Sequence, residues 1–151
     1  MDRDLMRSEL LHDEGLKLTP YRDSLGFWTI GVGHLLHKTD VPVPRMTAIT
    51  YNEALALLDV DIDVAYKLVQ TLVPQGATNS TALQFEVRIR ALTNMAFNLG
   101  SKLEQFHDFL GHVNRGEWSE AAIAMMSSLW AKQVGLRAVR LRHMIEKGVV
   151  E

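Results

Sequence analysis

Residues 14 to 34 read Glu14-Gly15-Leu16-Lys17-Leu18-Thr19-Pro20-Tyr21-Arg22-Asp23-Ser24-Leu25-Gly26-Phe27-Trp28-Thr29-Ile30-Gly31-Val32-Gly33-His34. Leu16, Leu18 and Tyr21 alternate with polar residues, Asp23 to Gly26 carries turn chemistry, and Phe27 to Val32 is β-branched and aromatic. This pattern predicts two or three short antiparallel strands. Upstream, Leu5, Met6, Leu10 and Leu11 group among charges over residues 2–13, and Gly15 supplies a stop, which predicts a helix.

Downstream, residues 37–46 contain Pro42 and Pro44 and read as a loop. From Thr50 the period becomes helical. Thr50 and Glu53 match a capping box, and Leu55, Leu58, Ile62, Ala65, Val69 and Leu72 recur at intervals of three and four. The spacing predicts a helix of about 22 residues over 50–73, ended by Pro74 and Gly76. Thr81 and Gln84 open another helical run through Val87, Ala91, Leu92 and Met95 to Gly100. Shorter helices are predicted at 103–115, 118–128 and 136–147, punctuated by Gly116 and Gly148. The fold class is α+β in one domain spanning 1–151. A small N-terminal antiparallel sheet lobe (14–50) and a mainly helical C-terminal lobe (74–151) are joined by the helix at 50–73, with helix 2–13 packed on the C-terminal lobe.

Composition narrows the function classes. The 151 residues are 47% apolar and 23% charged, an ordinary globular balance. A formal net charge of −2 argues against a domain that wraps nucleic acid electrostatically. There is no cysteine, which excludes disulfides and thiolate chemistry. The six histidines show no His-Glu-x-x-His spacing, so neither a metal nor an organic cofactor is expected. Asp2, Arg3, Asp4, Arg7, Glu9, Asp13 and Glu14 leave no apolar stretch for a signal peptide, and none elsewhere reaches the roughly 18 residues of a membrane span. The expectation is a protein made soluble in the cytoplasm, without stable membrane insertion. The basic run of Lys132, Arg137, Arg140, Arg142 and Lys147 reads as a solvated helix face.

The opening stretch also carries chemistry. Hydrolysis of a glycosidic bond needs one carboxyl group to give a proton and a second polar cluster to aim water. Glu14 falls at a helix C-terminus, where carbonyl oxygens disfavour an ionised carboxylate; apolar neighbours would act the same way by desolvation. Both effects favour the protonated form that a general acid needs. Taken singly, each residue has an ordinary structural explanation: Glu14 as a helix-end carboxylate, Asp23 as a turn residue, Thr29 as a strand residue, His34 as a salt-bridged histidine. Their joint arrangement is the specific signal.

That arrangement resembles the active-site segment of the T-even-type phage lysozymes, the muramidase endolysins of glycoside hydrolase family 24. The resemblance rests on Glu14-Gly15, Leu18, Tyr21, Asp23, Gly26, Thr29-Ile30-Gly31 and Gly33-His34-Leu35. It continues through Asn94-Met95-Ala96-Phe97-Asn98-Leu99-Gly100, Trp118 with Glu120-Ala121-Ala122, and then Trp130, Gln133, Arg137 and Arg140. It implies a lysozyme-like fold and hydrolysis of the β-1,4 bond between N-acetylmuramic acid and N-acetylglucosamine in peptidoglycan, leading to host cell lysis. Glu14 would be the general acid, and Asp23 with Thr29 would hold and activate the water. The family inverts, so the two carboxyl groups should stand roughly 6.5–9.5 Å apart, across a gap between the lobes. Arg137 matches an arginine that pairs with the catalytic glutamate, which would draw the Glu14 pKa down against the effects above. His34 and Asp61 match a structural ion pair. Leu35 and Phe97 match positions lining the saccharide cleft.

The resemblance further implies a monomer whose partner is the glycan strand of the wall. It would reach the periplasm through a holin-type pore after membrane permeabilisation. The chain departs from its pattern at Leu136 and Val139, where relatives tend to carry asparagine and lysine, and at Ala124, an asparagine in some members. These changes concern the outer sugar subsites and leave Glu14, Asp23 and Thr29 in place. Two alternatives stay open at the level of sequence. A lytic transglycosylase needs one glutamate but no water-aiming pair, and a non-catalytic wall-binding domain would keep the fold without turnover.

Overall fold

The computed structural model describes residues 1–36 and 48–151. The loop expected at 37–46 therefore lies outside the described residues. Among those described, helix α1 (Arg3–Glu14) is followed by strands β1 (Lys17–Arg22), β2 (Trp28–Gly31) and β3 (His34–Leu35). Helices α2 (Tyr51–Leu72), α3 (Ala82–Leu99), α4 (His107–Asn114), α5 (Trp118–Met126), α6 (Leu129–Val134) and α7 (Leu136–Lys147) complete the chain. The strands form one antiparallel sheet in the order β1-β2-β3. The fold is the α+β, lysozyme-like arrangement expected from the sequence.

Two compact units divide the chain, Arg3–Asp63 and Val64–Glu151 with Met1–Asp2. The division falls within α2, whose 22 residues run without interruption. α1 falls with the strands in the Arg3–Asp63 unit. A physical tie is visible in α2: Arg7 holds Asp59 through Nε at 2.6 Å and Nη2 at 2.9 Å, and Arg3 binds Asp63 one turn further on. The Arg7 guanidinium, chiefly by hydrogen bonding, keeps the Asp59 carboxyl below its ordinary pKa. Among the described residues, Met6, Leu10, Ile30, Val32, Ala54, Leu58 and Ile62 are the buried apolar residues of this unit.

In the Val64–Glu151 unit every residue of α3 from Arg88 to Ala96 is buried, so α3 is its central helix. The polar members of that run find partners. Arg88 Nε and Nη2 donate to the carbonyls of Ile145 and Glu146 at 2.9 Å, satisfying orphan acceptors at the end of α7, and its guanidinium lies over the Trp118 ring. Thr93 donates back to the Ile89 carbonyl at 2.8 Å. Around α3 pack Phe109, Trp118, Met125, Trp130, Leu141 and Met144, among others.

Three local expectations need correction. The single helix expected at 103–115 is a 3-10 turn (Gly100–Gln105) followed by α4. Phe106 breaks it at φ −83°, ψ 61°, a conformation from which its ring meets Phe109 and Trp130 edge-on. α6 is an addition to the expected elements; Ser128 caps it, accepting the Ala131 N–H at 3.2 Å. The Thr81–Gln84 capping box is complete, whereas at α2 only half of one forms. There the Thr50 hydroxyl accepts the Glu53 N–H and gives its own proton to the Glu53 carboxylate, in place of the expected return bond to backbone.

Candidate active site

Glu14 is the last residue of α1. Gly15 follows at φ +71° and donates its N–H to the Leu11 carbonyl at 3.0 Å, the left-handed helix stop that glycine allows. The chain then turns into β1. The Glu14 side chain lies on the backbone of Gly33, in the turn between β2 and β3. A Cβ placed on Gly33 would stand 3.0 Å from Glu14 Oε2 and 3.2 Å from its Cδ. The absence of that one carbon makes room for the carboxyl group.

Asp23 occupies the turn between β1 and β2 and closes it with its own side chain. Its Oδ1 accepts the N–H groups of Leu25 and Phe27, both at 2.9 Å. The Asp23 N–H donates to the Phe27 carbonyl at 2.9 Å. The Thr29 hydroxyl donates to that same carbonyl at 3.1 Å, and Thr29 is 3% exposed. One peptide residue, Phe27, thus fixes both side chains: its N–H orients the carboxylate, and its C=O takes the hydroxyl proton. With that proton committed, Thr29 Oγ1 can only accept from a ligand.

Thr29 pairs directly with Tyr21 on β1 and Leu35 on β3, so these three share a sheet face. Leu35 is 38% exposed there. Burial, then the charge of Glu14, then that of Asp23, raise the Tyr21 pKa above the ordinary tyrosine value. Both carboxylates therefore act on one phenol.

His34 Nδ1 lies 2.7 Å from Asp61 Oδ2, the side chains being 27% and 26% exposed. The hydrogen bond to Asp61 raises the His34 pKa, burial opposing it in part. A histidine whose folded pKa exceeds its unfolded value of about 6.5 stabilises fully below that value, and the contribution fades as pH rises through the folded pKa. His34→Asn should therefore lower Tm by a few degrees at about pH 5.5 and by progressively less toward about pH 9. Thermal unfolding of both chains across that range checks the sign.

The Arg3–Asp63 unit thus holds Glu14, Asp23, Thr29, His34, Leu35 and Asp61. The other unit holds Phe97, half-buried on α3, and Arg137 on α7, whose Nε donates to Asn94 Oδ1 at 2.9 Å. Sequence reasoning passed over Gly33, the Phe27 peptide and the placement of Tyr21. All three lie in the quoted stretch, but nothing there distinguishes Gly33, which faces Glu14, from Gly31, which faces Ala54 and Ile49.

Comparison with known proteins points the same way. A family model described as phage lysozyme matches residues 12–146. The chain is 30% identical over 166 residues to the probable T4-type lysozyme 1 of Dictyostelium discoideum, covering 96% of this chain and 95% of that protein. It is 31% identical over 166 residues to the pre-baseplate central spike protein Gp5 of Enterobacteria phage T4, covering 97% of this chain but 28% of that protein. It is also 26% identical over 147 residues to the SAR-endolysin of Escherichia phage Mu, covering 97% of this chain and 79% of that one. Among the described residues no helix is long and apolar enough to cross a membrane. The chain belongs to the phage lysozyme family and is a lysozyme-type glycoside hydrolase of peptidoglycan.

Proposed function

We propose that the chain is an endo-acting N-acetylmuramidase that cleaves the β-1,4 bond between N-acetylmuramic acid and N-acetylglucosamine with inversion, leading to host cell lysis. Glu14 is the general acid that protonates the leaving oxygen. Asp23 and Thr29 hold the attacking water. The observation that carries this reading is the Phe27 peptide shared by Asp23 and Thr29. A water molecule has two protons to give. Asp23 Oδ1 is occupied by two amides, and Oδ2 makes no hydrogen bond among the described residues, so it is free to take one proton. Thr29 Oγ1, its own proton committed, accepts the other. The water's lone pair is then directed at the anomeric carbon, and Asp23 acts as general base when the C–O bond breaks.

The family resemblance assigns Leu35 and Phe97 to saccharide binding and gives Arg137 a supporting role, and this reading keeps those assignments. The glycan strand is the macromolecular partner. Release through a holin-type pore to the periplasm and a monomeric state belong to the same proposal. End-group analysis of digested peptidoglycan tests it. Muramic acid at the new reducing ends, first appearing as the α anomer, is the expected result. Anhydromuramic ends would instead mean a lytic transglycosylase, and β anomers a retaining mechanism.

A further inference from the structure

Tyr21 has no part in the reaction as proposed, yet the backbone delivers it to the site by a specific device. Pro20 has no N–H to donate, so a strand tolerates it only at an edge or an irregularity. Among the described residues β1 is at the edge of the sheet, and its ladder with β2 is irregular between Lys17 and Tyr21. Continued evenly from the Lys17–Gly31 pair, the ladder would set Thr19 opposite Thr29. The irregularity advances β1 by two residues and sets Tyr21 there instead. Such bulges re-aim side chains beside functional sites.

The ring is held once it arrives. Lys17 Nζ lies 4.3 Å from its centroid, a cation–π contact. Tyr21 is half-buried, but its hydroxyl makes no hydrogen bond among the described residues and is not sealed from solvent. Burial and the two neighbouring carboxylates raise the phenol pKa above the ordinary tyrosine value, so the hydroxyl is a donor at neutral pH. A donor flanked by two acceptors and bonded to neither is available to a third.

We infer that Tyr21 is a further substrate-binding residue of this site, its phenol donating a hydrogen bond to an oxygen of the sugar that occupies the space beside Glu14, Asp23 and Thr29. The inference rests on the proposed roles of Glu14 and Asp23. Tyr21→Phe removes one oxygen and keeps the ring and its contact with Lys17. It should lower kcat/KM on peptidoglycan about tenfold and leave Tm within roughly 2 °C. Calorimetric titration with solubilised peptidoglycan fragments should show affinity weakened about tenfold when Tyr21→Phe is added to Glu14→Gln. The limbs of the pH–rate profile should not move. Unchanged fragment affinity overturns the inference, as does a shifted limb without an affinity change, which would make Tyr21 a tuner of the carboxylates. So does a fall in Tm that accounts for the lost activity. Those failures leave the proposed function standing if Glu14→Gln is inactive; full hydrolysis by Glu14→Gln overturns both.

Discussion

Glu14→Gln should lower kcat/KM on peptidoglycan by about 10³-fold, within the range a positioned general acid contributes. The substitution keeps the shape of the side chain, so its packing on Gly33 survives. What it loses is an acidic proton, since an amide cannot protonate a leaving alkoxide. Stability should change little, because glutamine keeps the size and shape of the side chain. Turbidity loss of outer-membrane-permeabilised Gram-negative cells, with thermal melts of the same preparations, separates the two effects. Undiminished lysis would remove Glu14 from the mechanism.

Gly33→Ala should cost at least tenfold in kcat/KM together with about 1 kcal/mol of stability. Two effects combine. Gly33 sits at φ +66°, where a Cβ is strained, and that Cβ would press within 3.0 Å of Glu14 Oε2. The carboxyl group must shift by a few tenths of an ångström, and a misplaced proton donor loses rate steeply. Gly100→Ala is the matched control. Gly100 has φ +58°, and a Cβ added there would meet nothing within 4 Å, so it should lose a similar stability and no activity. Equal activity of the two variants would mean that the Gly33–Glu14 contact does not position the acid.

Much of the candidate site's local geometry was legible because it is set by near neighbours in the chain. Asp23 bonds amides two and four residues ahead, and Thr29 bonds a carbonyl two residues behind, so both are governed by the turn that Asp23 to Gly26 encodes. Glu14 precedes a glycine that must end its helix. The His34–Asp61 pair spans 27 residues and entered only through the family resemblance. Tyr21 was visible as a motif residue, but its position opposite Thr29 depends on a ladder irregularity that alternation alone does not reveal.

Periodicity and caps within a few residues were enough for the strands near 17–35, the helix of 50–73 and the helix that Thr81 opens. Hydrogen bonds and hydrophobic faces at that range are set by neighbours along the chain. Tertiary structure alone decided that Arg88 and Asn94 are buried, since both find partners on α7 and polar residues otherwise read as a solvent face. It also decided that Phe106 leaves the helix to meet Phe109 and Trp130, and that one glycine among several faces the Glu14 carboxyl group. Each of these depends on which surfaces meet when distant segments pack, a sum over the whole chain that no local window contains.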